Sequence, residues 1–196
     1  PQEPEPAEPR PDPRRSAESS EFVTRLDDAV RAENQDTLTA VSIGGIAPTA
    51  ETAEDGSYPL ARPLFIYSDA NIMAEKPQVA AFINYFLTHV NEEIVEVGYF
   101  PASDEALNGA RQAFLDATSG DMEMMMVELP AVDPLDVTGD IVSAGSSTVF
   151  PLAERMAEIF RDGGYSGEIA IDEIGSGAGF ERFCVAGETD ISNASR

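Results

Sequence analysis

The sequence predicts an α/β protein built on a mostly parallel sheet flanked by helices. Two observations carry that expectation. Across residues 140–196, short apolar or alternating runs at 140–144, 168–174 and 189–192 are separated by helical patterns, the alternation that yields parallel strands joined by crossovers. The first two runs also lead straight into small residues and then a helix, at Gly145-Ser146-Ser147-Thr148 and at Gly175-Ser176-Gly177-Ala178-Gly179.

In chain order, residues 1–20 hold six prolines among Glu and Arg, which favours extended segments and buries too little apolar surface to fold. Residues 1–32 are therefore expected to be a disordered or weakly ordered tail with one short amphipathic helix carrying Phe22, Leu26, Ala29 and Val30. Residues 38–43 alternate as a strand, Gly44-Gly45 and residues 48–56 read as turn or loop, and residues 64–67 read as a short buried strand. A helix is expected from Pro77, well placed at a first helical position, to about Asn91. Val79, Phe82, Ile83, Phe86, Leu87 and Val90 form its apolar stripe. His89 lies off that stripe and reads as a surface histidine. A second helix follows Ser103, a good N-cap, with Leu107, Ala110, Phe114 and Leu115 on its inner face. Residues 118–138 dissolve into polar residues, prolines and a methionine cluster (Met122, Met124, Met125, Met126), read as packing or linker rather than a soft-copper site. After 140–144, Leu152, Met156, Ile159 and Phe160 mark a helix ended by Gly163-Gly164, and Phe180 and Phe183 mark the next.

Composition removes several functions. The formal net charge is −24, from 36 acidic and 12 basic residues, and Lys76 is the one lysine. Such a surface repels nucleic acid and anionic membrane. An anion can still bind, because local N–H and O–H groups set affinity while net charge acts mainly on encounter. One cysteine, Cys184, excludes an internal disulfide and a CxxC motif, and one histidine excludes most zinc and hydrolase arrangements. No run of about 18 apolar residues offers a membrane span, and no secretory signal is present. The chain starts at Pro1, which reads as processing or as a fragment.

The two strand–small residue–helix junctions point to an anion. In open α/β sheets, ligands sit beyond the carboxyl ends of the strands, where helix N-termini present unpaired N–H groups. Ser147, Thr148 and Ser176 add hydroxyls, and Ser195 with Arg196 follows the third strand, where an arginine can grip an oxyanion with two N–H groups. Serines at helix starts also serve as plain N-caps and glycines as plain turn formers. The glycine spacing is neither a dinucleotide fingerprint nor a P-loop. Convergence of three such places favours an anion pocket.

The motifs Gly145-Ser-Ser-Thr-Val-Phe-Pro-Leu152, Ile174-Gly-Ser-Gly-Ala-Gly-Phe180 and Thr189-Asp-Ile-Ser-Asn-Ala-Ser-Arg196 resemble the first segments of the phosphate-binding proteins of phosphate ABC transporters. The resemblance implies a type II periplasmic-binding-protein-like lobe. By position it assigns phosphate contacts to Ser147, Thr148, Val149 and Phe150 (partly through backbone N–H), Ser176, Ser195 and Arg196. Some members carry an aspartate where Ser195 stands, and this chain departs from them with Ser-Arg, leaving phosphate and sulfate both open. Residues 58–67, the helix after Lys76-Pro77, and Val97-Gly-Tyr-Phe-Pro101 resemble the C-terminal portion of the same family. The implied organisation is a C-terminal-type segment (33–117), a linker (118–138) and a truncated N-terminal-type segment (139–196), with the central lobe absent. Two readings are open: a junction of tandem modules, or a circularly permuted single lobe. They diverge on whether strands 64–67 and 140–144 share a sheet.

The resemblance implies a non-enzymatic solute-binding protein, periplasmic or cell-surface, that captures inorganic phosphate for an ABC transporter permease, with no cofactor and no metal. A second reading is a secreted adhesion or structural module that keeps the receptor fold without its ligand.

Overall fold

The computed structural model describes residues 40–119 and 128–195. The proline-rich tail, the residues 22–30 expected as a short helix, the methionine cluster and Arg196 lie outside the described residues. Four strands form one sheet in the order β1-β4-β2-β3: β1 (Phe65–Tyr67), β2 (Ile141–Gly145), β3 (Ile169–Glu173) and β4 (Ile191–Ala194). The strands β2–β3 and β2–β4 pair parallel, and β1 closes the other edge antiparallel to β4, with Ile66 opposite Asn193. Strands 64–67 and 140–144 therefore share one sheet. Around it stand α1 (Ala50–Glu54), α2 (Ala70–Glu75), α3 (Pro77–Val97), α4 (Asp104–Ser119), α5 (Phe150–Asp162) and the short α6 (Ser176–Phe180).

Side-chain alternation along each strand divides the helices between two faces. Ile141, Ile169 and Ile191 point to the face covered by α3 and α5, where Val79, Phe82, Phe86, Leu152, Met156 and Phe160 complete the core. Phe160 is fully buried and meets Phe82 edge-on at 5.4 Å between ring centroids. Burying such aromatic pairs contributes about 0.5–1.5 kcal/mol beyond the area removed from water. Arg155 on α5 reaches Glu93 on α3 at 2.7 Å and Glu158 at 2.8 Å. The opposite face carries Tyr67, which meets Phe180 of α6 edge-on at 5.1 Å.

The long helix follows from its stripe and its ends. Pro77 occupies the first turn, and Gly98 at φ +94° ends the helix in the left-handed conformation, as expected of a C-terminal glycine. It extends to Val97 rather than Asn91, because Ile94 continues the buried stripe. The α4 helix starts where Ser103 Oγ accepts the Ala106 N–H at 3.2 Å.

Two expectations need correction. Within residues 40–43 there is no strand; the backbone makes one isolated bridge, Ile43 to Ile46, across the Gly44-Gly45 turn. Val41 is 70% exposed, so alternation here has no sheet to bury against. The strand at 64–67 is not buried either. Phe65 and Tyr67 are 40% and 38% exposed, because β1 is an edge strand and α6 covers its outer face only in part.

A buried carboxylate joins the early segment to the late one. Asp190, 4% exposed, accepts from Lys76 Nζ at 2.6 Å through Oδ1 and from the Val142 N–H at 2.9 Å through Oδ2. Its backbone carbonyl accepts from Ser68 Oγ at 2.9 Å. Asp190→Ala leaves the Val142 N–H unpaired and Lys76 without its anion, so it should lower unfolding free energy by about 2–4 kcal/mol in urea titrations.

Tyr165 closes the loop between α5 and β3. Its hydroxyl donates to the Gly139 carbonyl, and burial, with Asp140 and Asp190 nearby, pushes its pKa above the ordinary tyrosine value. The neutral phenol is thus favoured in the folded state. Stability from this group is complete below the unfolded pKa of about 10 and is lost as pH rises through the higher folded value. Tyr165→Phe should flatten that alkaline loss in thermal melts recorded from about pH 9 to 12.

Candidate anion site

The chain leaves β2, crosses through α5 on one face to β3, then returns through α6 on the other face to β4 on the far side of β2. The carboxyl end of β2 is therefore a topological switch point, flanked by two parallel neighbours whose connections diverge. Three serines follow the three strands there: Ser146 after β2, Ser176 after β3 and Ser195 after β4.

Glycines bring the three loops into contact. A Cβ on Gly145 would collide with the Asn193 backbone, and one on Gly179 would lie 2.6 Å from Gly145 Cα and 2.8 Å from the Ala144 carbonyl oxygen. The Gly145 carbonyl accepts the N–H groups of Ile174 at 3.0 Å and Gly175 at 2.7 Å, drawing the β3–α6 loop over the end of β2. The Ser146 N–H donates to the Asn193 carbonyl at 2.9 Å. With backbones this close, the serines meet. Ser146 Oγ donates to Ser195 Oγ at 2.9 Å, and the Ser195 N–H donates to Ser176 Oγ at 3.4 Å. Ser146, Ser176 and Ser195 are 3%, 5% and 7% exposed, so all three are buried.

Among the residues expected from the sequence, the structure brings Ser176 and Ser195 together. Ser147 and Thr148 lie half-buried in the turn between β2 and α5. The backbone donors proposed there turn back on the loop: the Thr148 N–H goes to Ser146 Oγ at 3.2 Å, and the Val149 and Phe150 N–H groups go to the Ser146 carbonyl at 3.2 and 3.1 Å. The Val149 side chain is fully buried. Tyr99 from the early segment donates to the Thr148 carbonyl at 2.9 Å. Sequence reasoning missed Ser146, the residue on which the loop converges. The available signal was its place directly after the strand-ending glycine, where a side-chain oxygen meets backbone donors two residues on.

The strand leading to Ser195 is unusually polar. Asn193 Nδ2 donates to Ser143 Oγ at 2.9 Å, while Asn193 Oδ1 and Ser192 Oγ are buried without a hydrogen-bond partner among the described residues. Arg111, Arg155, Arg161 and Arg182 make their hydrogen bonds elsewhere, so the hydrogen bonds among the three serines come from neutral donors. A cavity of about 310 Å³ lies apart from the serines, against α3, lined by Asn84, Tyr85, Thr88, His89 and residues 128–132. His89 there meets Tyr85 in a tilted ring contact, 4.3 Å between centroids, and sits 3.6 Å from Glu92. No group of His, Cys, Asp and Glu among the described residues is arranged to hold a metal ion. No helix among them is long and apolar enough to cross a membrane.

Against this geometry, a solved phosphate-binding protein of a phosphate ABC transporter from Streptococcus pneumoniae superposes with a TM-score of 0.50. The match covers 82% of this chain and 54% of that one, at 23% identity. The fold matches that phosphate-binding protein. In sequence, the chain is 36% identical over 72 residues to Protein SphX of Synechocystis sp., covering 36% of this chain and 21% of that protein. It is 44% identical over 61 residues to the phosphate-binding protein PstS of Staphylococcus haemolyticus, covering 31% and 19%. The chain thus matches about a fifth of the length of these relatives. No family model matches it.

The glycine contact is open to a direct test. Gly179→Ala forces the α6 backbone off the end of β2 and should cost about 1–3 kcal/mol in urea unfolding. Gly177→Ala, two residues away with nothing within 4 Å of the added carbon, should be neutral or stabilising by up to about 1 kcal/mol.

Proposed function

We propose that this chain supplies one side of the anion cradle of an extracytoplasmic phosphate-binding receptor serving an ABC importer, and that it acts by capture without chemistry on the ligand. The observation that carries the reading is the meeting of Ser146, Ser176 and Ser195 at the switch point of the parallel strands. Hydroxyls held in a nearly dry site at strand ends replace the hydration shell of an oxyanion. Similarity to proteins named for phosphate binding supports the same ligand. Ser147, Thr148, Ser176, Ser195 and Arg196 are the residues through which it would be held. The Val149 and Phe150 N–H groups join only if they release the Ser146 carbonyl.

We infer further that residues 33–117 and 139–196 complement each other as a permuted lobe, with 118–138 as the connection. Supporting this, β1 of the first segment lies in the sheet formed by the second, and Lys76 pairs with Asp190 across them.

One sheet approaches the anion from one side, so affinity should be weak. Titrating inorganic phosphate into the full chain and following backbone amide resonances should shift Ser176 and Ser195, with a dissociation constant of about 1 mM or weaker. Ser176→Ala should abolish those shifts. Absence of any shift up to about 50 mM phosphate would overturn the reading in favour of a module that keeps the fold without the ligand. A micromolar constant would overturn the expectation of one-sided binding.

A further inference from the structure

Ser146 stands behind the proposed cradle, almost sealed from solvent, and its hydrogen bonds have a direction. The Thr148 N–H donates to Ser146 Oγ at 3.2 Å, and Ser146 Oγ in turn donates to Ser195 Oγ at 2.9 Å. A serine hydroxyl has one proton. With a donor arriving at its oxygen, Ser195 is directed to use its own proton elsewhere. The Ser195 N–H does the same for Ser176, donating to its Oγ at 3.4 Å. Both hydroxyl oxygens therefore receive a donor from a neighbouring loop, which leaves their own protons for another acceptor, and linked hydrogen bonds strengthen one another.

We propose that Ser146 is a positioning residue for anion capture: by donating to Ser195 Oγ it turns the Ser195 hydroxyl outward as a ready donor, without touching the ligand itself. This rests on the phosphate-capture reading above. It assigns to Ser146 an effect that passes through Ser195 alone. A purely structural Ser146, serving only to close the β2–α5 turn through Thr148, would act whether or not Ser195 keeps its hydroxyl.

A double-substitution cycle on the full 196-residue chain, read as the dissociation constant for inorganic phosphate, separates the two. Ser146→Ala should weaken phosphate binding about tenfold, Ser195→Ala at least as much, and the double variant no more than Ser195→Ala alone. Losses that multiply in the double variant, or wild-type affinity in Ser146→Ala, would overturn the proposal while leaving phosphate capture intact. If wild-type protein shows no phosphate shift at all, the functional reading fails and this proposal with it. Should Ser146→Ala not fold, the wild-type protein still decides. The Ser146 hydroxyl proton should appear as a slowly exchanging resonance with a cross-peak to the Ser195 β protons, and its absence would sink the idea.

Discussion

Asp190 divides its two carboxylate oxygens between parts of the chain that are far apart in sequence. One oxygen takes the ammonium of Lys76, the other an amide of β2. Lys76 is itself about half exposed, so Coulomb attraction alone contributes modestly. The larger constraint is that a carboxylate buried to this degree must keep its donors, since losing either leaves a charge or an amide unpaired away from water. The residue stands just before β4 and fixes where that strand enters between β1 and β2. Everything at the other end of β4, including the position of Ser195, inherits that register.

A second constraint acts at the far end. The loop over β2 closes only because Gly145 and Gly179 have no side chain to keep the backbones apart. That approach makes three serines from three loops near neighbours, and it also lets neutral hydroxyls assemble in a protein with net charge −24. Affinity for an anion at such a spot is a local matter of directed donors. For the proposed anion, the acidic surface would lower the rate of arrival, and salt would relieve that penalty by screening.

Much of the architecture was legible because its signals are local. The α3 stripe, the glycine that ends it, and the strand–turn–helix rhythm after residue 140 each express a period or a cap that needs no distant partner. The exposure of β1 was not legible. A short apolar run looks alike whether it sits at the centre or the edge of a sheet, and only the pairing with β4 alone on one side made it an edge. The alternation at residues 40–43 failed for the same reason, since alternation predicts a strand only where a neighbouring strand exists. At the site, residue types announced hydroxyls at 147 and 148 and the family resemblance added backbone donors over 147–150, yet the fold turned the Thr148, Val149 and Phe150 amides toward Ser146, because a carbonyl and a hydroxyl lay within reach once the turn closed.

The sequence by itself determined the class of the protein: mostly parallel α/β, small hydroxyl residues at strand ends and a strongly acidic composition. These follow from composition and short-range spacing, which act wherever the chain goes. The tertiary structure decided that the early and late segments build one sheet, that Ser146 rather than Ser147 organises the loop, and which hydroxyls meet one another. Those outcomes depend on contacts spanning from about 50 to more than 110 residues, Ser146 to Ser195 and Lys76 to Asp190. No local pattern encodes which buried donor will meet which buried acceptor.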